Sequence, residues 1–547
     1  MTGTPILILK EGTSRERGKG AQKANIQSVM AVVESLKTCL GPKGMDKMLV
    51  DSLGDVTITS DGRTILDEMD IQHPAAKMMV EVAKAQDQEV GDGTTSVVII
   101  AGELLNLAQE LMEKKVHPSV ILDGYREASE KALERLEEIA LSINPKDKQY
   151  LNKVAMTSMA SKLVAGNKEQ LADIVVQAIL HVAHSDGDGL RADLDDIMVE
   201  KKTGESMTET KLIEGVIIDK EVAHPRMPRR VEKAKVALVN RAFEVEKAKF
   251  DTKINIESPE EIEAFLQKEE EMLRSMVEKV GSAGANVLFC QKGIDDVAQH
   301  FLARHGILAV KQVKESDMEK LAKATEGKLV TNFDDLTSSD LGEAGVVEER
   351  KIGDDEMVFV EGCRNPKAVA ILIRGGTERT VDEAERSIHD ALSVVRDVVQ
   401  EPKIVAGGGA PEIEVSRAVR DHAVNLPGRE QLAVMRFADA FEAIPSVLAE
   451  NAGLDPIDVL SEIKARHEKG ETWAGVDVLG GVVGDMRKIE VYEPLAVKKQ
   501  IVKSATEAAT MILKIDDVIA ASKMKAPPMP PGGGGMPGGM PGGMPPY

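Results

Sequence analysis

A chain of 547 residues is longer than one hydrophobic core usually organises, so two to four domains are expected. Its 91 Asp and Glu against 69 Lys and Arg leave a net charge of -22 with His neutral, and its aromatic residues are nine Phe, four Tyr and one Trp. That set builds neither a basic surface for a phosphodiester backbone nor a platform for base stacking, which excludes nucleic acid as the natural partner. Cys39, Cys290 and Cys363 are scattered and odd in number, which argues against a disulfide framework or a zinc cluster. No run of 18 apolar residues occurs and the first residues lack a signal-peptide pattern; the expectation is a soluble, cytoplasmic protein that uses no membrane.

After a short strand-like run at 6–9, Ile26, Val29, Met30, Val33, Leu36 and Leu40 recur at helical spacing and predict a helix over 24–39. Gly41 and Pro42 stop it, leaving Leu40-Gly41-Pro42-Lys43-Gly44 as a tight turn with one lysine. Val56-Thr57-Ile58-Thr59 alternates like a half-buried strand and runs into an acidic glycine turn, Ser60-Asp61-Gly62-Arg63, with a helical pattern after it. A further helix is predicted over 74–89. Between it and the apolar helical run from Val97 lies Gly91-Asp92-Gly93-Thr94-Thr95-Ser96. Two glycines there allow close backbone approach, three hydroxyls add donors, and the start of the next helix favours an anion, so the natural guest is a phosphate. Asp92 would repel it unless a divalent cation joined them, which makes Asp92 a candidate magnesium ligand. Taken alone, the hexapeptide also reads as a capped turn before a buried helix.

A helical pattern over 118–143 is broken by Asn144-Pro145, and the small-residue stretch from Met156 ends at Lys162. His181 and His184 have metal-like spacing without a third ligand, and Asp186-Gly187-Asp188-Gly189 lacks the rest of a calcium loop; both are read as surface turns. Over 214–367, β-rich runs such as Val216-Ile217-Ile218 and Val236-Ala237-Leu238-Val239 alternate with helical patterns, which predicts a separate α/β domain. Inside it, Ser258, Pro259 and Glu261 form a capping box ahead of an apolar stripe through Ile262, Phe265, Leu266, Met272, Leu273, Met276, Val277 and Val280. Beyond 367 the apolar run Ala368 to Ile373 reads as a buried strand. The helix after it, over 380–399, carries Asp390, which its spacing allows to be a solvated acid paired with Arg386. Gly407-Gly408-Gly409 then opens another helix. Candidate phosphate turns therefore sit at both ends of the chain, and if they share one site the middle must be inserted into a domain made from the ends. Ahead of the glycine-rich tail, neither P-loop nor G-x-G-x-x-G spacing is present. Residues 527–547 are nearly all Gly, Met and Pro, too uniform for a packed core, and are expected to be disordered.

Taken together, Leu40-Gly41-Pro42-Lys43-Gly44-Met45-Asp46-Lys47, Asp61-Gly62, Gly91-Asp92-Gly93-Thr94-Thr95 and Gly407-Gly408-Gly409, in that order, resemble the nucleotide site of chaperonins. The resemblance covers nearly the whole chain. The helix after Ser258 resembles the built-in lid of group II chaperonins, and the Gly-Gly-Met tail is similar to that of archaeal thermosome subunits, relatives of the eukaryotic cytosolic chaperonin. What this implies is a multidomain α+β fold. A mainly α-helical equatorial domain would come from 1–147 and 402–525, a small α/β intermediate domain from 148–213 and 368–401, and an α/β apical domain from 214–367 with a helical protrusion at about 254–280, before a tail at 526–547.

The resemblance further implies an ATP hydrolase: an ATP-dependent chaperone enclosing non-native polypeptides in a double ring of about eight or nine subunits each, homo- or hetero-oligomeric. Magnesium would sit at Asp92, and Gly91, Gly93, Thr94, Thr95 and Ser96 would cradle the phosphates. Leu40, Gly41 and Pro42 would close over ATP, Gly408 would lie near ribose and base, and Glu493 would bind ribose hydroxyls. Lys162 would sense the γ-phosphate. Asp390 and Asp61 would be the catalytic acids, with Asp390 orienting the attacking water. The turn reads Ser60-Asp61-Gly62-Arg63 where the family more often has Asn-Asp-Gly-Ala, so Arg63 is a departure that bears on the charge around Asp61. The stripe through Val280 is expected to serve the lid rather than its own domain's core. Two other readings use the same turns: a magnesium-dependent phosphoryl-transfer enzyme acting on a small acceptor, and a non-hydrolysing holdase.

Overall fold

The computed structural model describes residues 14–187, 189–244, 259–365 and 368–520. Two apolar cores organise them. One is assembled from both ends of the chain, from Ile26 to Ile197 and again from Val369 to Leu513. The other is built by the middle, from Met198 to Val360, and takes in Ala370 and Leu372. Residues of the segments expected as equatorial and intermediate domains both enter the first core.

The strand Val369–Gly375 is where the cores meet. It is buried along its whole length. Because side chains alternate along a strand, Val369, Ile371 and Ile373 join the first core while Ala370 and Leu372 join the second. Burial on both faces is why this stretch is a continuous apolar run instead of an alternating one. It pairs in parallel with Ile197–Thr203 and antiparallel with Lys211–Ile213. The run ends on Arg374, only 2% exposed, whose guanidinium reaches Glu205 at 3.2 Å and the Gly204 carbonyl at 3.3 Å.

The first core is mainly helical. Thr94–Glu113 is apolar on most sides because Lys19–Lys37, Pro74–Val90 and Leu495–Leu513 pack around it. Gly102 permits the closest crossing, since a Cβ there would lie 2.3 Å from Val33 Cγ2. By length and composition this helix could cross a membrane, alone in that among the described residues. In the fold its apolar sides are core.

The second core lies on a mixed sheet ordered Leu308–Val310, Val287–Cys290, Arg230–Val239, Gly342–Ile352, Asp355–Cys363 and Gly215–Ile218, with Leu329–Val330 also pairing with Arg230–Val239. Its members include the apolar runs read as strands from sequence. Elsewhere Val56–Thr59 returns against Lys47–Val50 as a hairpin, whose first strand has no alternation to announce it, and the helix Gly62–Glu68 follows. Ser14–Arg17 pairs antiparallel with Asp517–Ala520 and so ties the two ends of the chain together. The run at 6–9, the Ser258 cap and the tail at 526–547 lie outside the described residues.

The helix Pro259–Ser282 divides in function along its length. Leu273, Val277 and Val280 are buried in the second core, where the helix lies against Asp296–Arg304, and Arg274 stacks 5.1 Å over the Phe301 ring. Phe265, Leu266 and Met272 are instead 41, 59 and 43% exposed. The expectation that the whole stripe serves a lid is therefore corrected for its second half, because the helix is longer than the core surface available to cover it. Leu273→Ala is expected to cost about 2 to 5 kcal/mol as a buried large-to-small change. Leu266→Ala should stay within about 0.5 kcal/mol, as exposed sites do. Thermal denaturation of the two purified variants checks the contrast.

Candidate nucleotide site

The helix Pro74–Val90 ends in Gly91 at φ 68, and Gly93 at φ 79 opens Thr94–Glu113. Both are left-handed conformations that favour glycine. Gly93 offers no side-chain cap, so the first N–H groups of the long helix stay available to a ligand. Gly91 also has no room for a side chain: a Cβ would lie 2.1 Å from Ser393 Cβ on the helix Glu378–Gln400. Between the glycines, Asp92 is held from two sides. Its Oδ1 accepts from the Gly93 N–H at 2.6 Å, and Gln86 Nε2 donates to its backbone carbonyl at 3.0 Å.

Asp61 caps the helix Gly62–Glu68, with Oδ2 accepting from Thr64 N–H at 2.9 Å and from the Thr64 hydroxyl at 2.7 Å. Its other oxygen faces the Thr94 hydroxyl at 3.4 Å. Gly62 makes that approach possible, since a Cβ would stand 2.7 Å from Thr95 Oγ1. Arg63 is drawn off by Asp87, a direct ion pair, and by Asp67 at 3.7 Å. The departure at Arg63 thus forms a pair of its own beside the turn.

Lys162 and Asp390 are in direct contact, with only 7% and 11% of their side chains exposed. This corrects the reading of Asp390 as a solvated partner of Arg386: Arg386 bonds Glu383 at 2.9 Å, and Asp390 faces inward because this helix is buried on most sides. Burial pushes the Asp390 carboxyl well above its ordinary range, Lys162 pulls it down, and Asp61 and Asp92 push it up again. For Lys162 burial acts downward, but Asp390, Asp92 and Asp61 outweigh it and hold the ammonium above its usual value. Ser60 Oγ donates to the Ser161 carbonyl at 3.2 Å, which keeps the Asp61 turn beside Lys162.

Leu40, Gly41, Pro42, Asp92, Gly93, Ser96, Gly408 and Glu493 line one cavity of about 330 Å³, within the range of small-molecule sites. Asp92 joins that cavity to the charged group of Asp61, Lys162 and Asp390. Gly41 meets Leu448 closely, a Cβ there falling 2.5 Å from Cδ2, and the Leu40 carbonyl accepts from Asn451 Nδ2 at 2.8 Å. Gly408, at φ 64, is as tightly set, with a Cβ 2.7 Å from Met486 Sδ and 2.9 Å from the Val476 carbonyl.

Over residues 32–523 the chain matches the model of the TCP-1/cpn60 chaperonin family. It belongs to that family. A thermosome subunit of Pyrococcus horikoshii is 57% identical over 526 residues, 96% of each chain. A thermosome subunit beta of Thermococcus kodakarensis is 58% identical over 526 residues, again 96% of each, and one of Archaeoglobus fulgidus 55% identical over 537 residues, 98% of each. The solved open-state monomer of a group II chaperonin from Methanococcoides burtonii is similar at a TM-score of 0.60 and 43% identity, covering 78% of this chain and 100% of that one.

In this chaperonin chain the donor set suits a hard divalent cation. Asp61, Asp92 and Asp390 surround the single ammonium of Lys162, an excess of negative charge on oxygen. Among the described residues no group of three or more His, Cys, Asp or Glu could hold a metal by itself. The oxygen-rich set of Asp61, Asp92 and Asp390 is the kind of chemistry that magnesium takes, with one or two carboxylates and the rest of its shell from other oxygens. Several lining residues escaped sequence reasoning. Val476, Met486 and Glu490 come from or beside the hairpin of Ala474–Asp477 and Val482–Asp485, and Glu490 pairs with Lys153 at 2.7 Å. Buried Lys498 was missed too, since beside Lys499 it reads as part of a solvated face of its helix. Gly91→Ala is expected to destabilise the chain through both its contact with Ser393 and its positive φ. Adding Ser393→Gly should relieve the contact but leave a deficit of about 1 to 2 kcal/mol from the left-handed backbone. Melting curves of the single and double variants measure the two parts.

Proposed function

We propose that the chain is a subunit of an ATP-hydrolysing, ring-shaped chaperone of the cytoplasm that encloses non-native polypeptides and assists their folding. Whole-length likeness to thermosome subunits and likeness to a group II chaperonin monomer support this reading. They lend nothing to phosphoryl transfer onto a small acceptor. Relatives named alpha and beta within one organism support an assembly of one or two kinds of subunit. The three cysteines are unbridged, in keeping with a reducing compartment.

The observation that carries hydrolysis is the contact of Lys162 with Asp390, which brings an acid from Glu378–Gln400 to the group formed by Asp92 and Asp61. The open N–H groups of Thr94–Glu113 and the hydroxyls of Thr94, Thr95 and Ser96 donate to phosphate oxygens. Magnesium, when bound at Asp92, offsets the charge that carboxylate and phosphate otherwise bring together. Lys162 offers its charge to the terminal phosphate. Asp390 takes a proton from water as the water oxygen bonds to the terminal phosphorus and the bond to the bridging oxygen breaks, releasing ADP and phosphate. Asp61 helps orient that water.

Hydrolysis is coupled to shape through connectivity. The helix bearing Asp390 directly follows Val369–Gly375, the strand both cores share. A shift of that helix is felt by the second core, from which Phe265, Leu266 and Met272 are offered to apolar client segments.

Asp390→Ala is expected to lower kcat by about 10² to 10⁴-fold while ATP still binds. Unchanged turnover in a phosphate-release assay overturns the assignment. Asp390 must be ionised to take the proton and burial raises its pKa, so the rate should fall with decreasing pH at values above the ordinary carboxylate range. Lys162→Met removes the charge that pulls that pKa down. The acid limb of the pH–kcat profile should then move to higher pH.

A further inference from the structure

In the cavity wall, a buried lysine sits between two acids. Lys498, 5% exposed, lies in the first turn of Leu495–Leu513. Its Nζ is 2.6 Å from Glu493 Oε2 and 2.8 Å from Glu412 Oε1. Glu412 belongs to the first turn of Ala410–Ala423, which the three glycines open, and is 3% exposed with Oε2 left without a partner. Glu493 differs from Glu412, with 26% of its side chain exposed and a place, like Lys498, in the cavity lining. Its Oε1 makes no hydrogen bond among the described residues and lies near the backbone before Gly408, where a Cβ on Gly407 would come within 3.1 Å of it. The pairing of Tyr492–Pro494 with Lys403–Ala406, Glu493 opposite Val405, fixes that backbone. It leaves the rotation of the carboxylate to be settled by its partners.

We infer that Lys498 is a positioning residue for sugar recognition, holding Glu493 as an ionised, oriented acceptor so that its free oxygen takes hydrogen bonds from the ribose hydroxyls of a nucleoside triphosphate. The inference rests on the nucleotide reading proposed above and assigns it a second, buried layer. Two effects combine. One is geometric: the contact of Lys498 with Oε2 fixes the rotation of a carboxylate that lines the cavity. The other is electrostatic, since burial pushes the Glu493 carboxyl up, Glu412 and Asp92 add to that, and Lys498 supplies the opposing pull. Without the lysine, Glu493 gains a proton and a free rotation, and a protonated carboxyl is a poorer acceptor for hydroxyl donors. The ion pairs of Lys498 are with Glu493 and Glu412 and not with the Lys162 group, so its loss should alter which sugar binds more than how fast bound ATP is cleaved.

The test compares equilibrium binding of ATP and 2′-deoxyATP to the full-length assembled protein, by competition against a fluorescent ATP analogue. Wild type should prefer ATP by roughly 10- to 100-fold, the range for one hydrogen bond to a charged acceptor. In Lys498→Met that ratio should fall to within about threefold of unity, with kcat at saturating ATP changed far less. Since Lys498→Met leaves two buried acids unpaired, the double variant Glu412→Gln/Lys498→Met, which removes one acid with the lysine, provides a second background and should show the same loss of selectivity. A wild-type ratio retained in both variants overturns the positioning role. So does a wild type that binds both nucleotides equally. A wild type that binds neither overturns the nucleotide reading itself, and this inference with it.

Discussion

A lysine and an aspartate, both shielded from water and in contact, set the terms for the rest of this molecule. Isolated burial of either charge would be costly, and each is tolerated only because the other is there. The pair is nevertheless not balanced. Asp92 and Asp61 act on the same lysine, so the protein alone leaves negative charge in a place that water reaches poorly. Asp92, fixed by Gly93 and Gln86, is the carboxylate of that group that also faces the cavity.

Keeping that pair together constrains the backbone over a wide span. Asp390 stands on a helix that approaches the phosphate turn so closely that Gly91 cannot carry a side chain against Ser393. The same helix grows out of the strand Val369–Gly375, whose alternate residues belong to different cores. Chemistry at one end and the packing of the inserted middle are therefore joined through one strand and one helix, with no loop between the seam and the site longer than Gly376 and Thr377. A shared core between the outer segments and the strand's first face makes this connection stiff. Displacement of the helix has to be taken up at the seam.

Two buried lysines use the same physics differently. Around Lys162 three acids converge on one ammonium and leave charge for a metal, whereas around Lys498 two acids meet one ammonium and only Glu493 reaches the cavity. In both, a buried lysine touches a carboxylate and pulls its pKa down against the upward push of burial. The exposed first half of Pro259–Ser282 follows another rule. Its apolar residues past Leu273 have a core to cover, and those before it do not.

Local pattern was enough for much of the fold. Apolar runs at Val236 to Val239 and Val287 to Phe289 named the central strands, and the doubly buried run ending at Ile373 named the strand between the cores. Glycine turns at Gly91, Gly93 and Gly408 were legible because positive φ restricts the residue type, and all three have it. By itself, then, the sequence determined many of the strands, helices and turns and, through the likeness of ordered motifs, the family. What it could not determine was the pairing of charges far apart along the chain. Asp390 reads by spacing as a partner of Arg386, and only packing turns it to Lys162; Lys498, Glu412 and Glu493 become a triad only once a strand and two helices meet. The reason is physical. Periodicity and turn chemistry act within a few residues, whereas the worth of a buried charge depends on the dielectric and partners that tertiary structure brings to it.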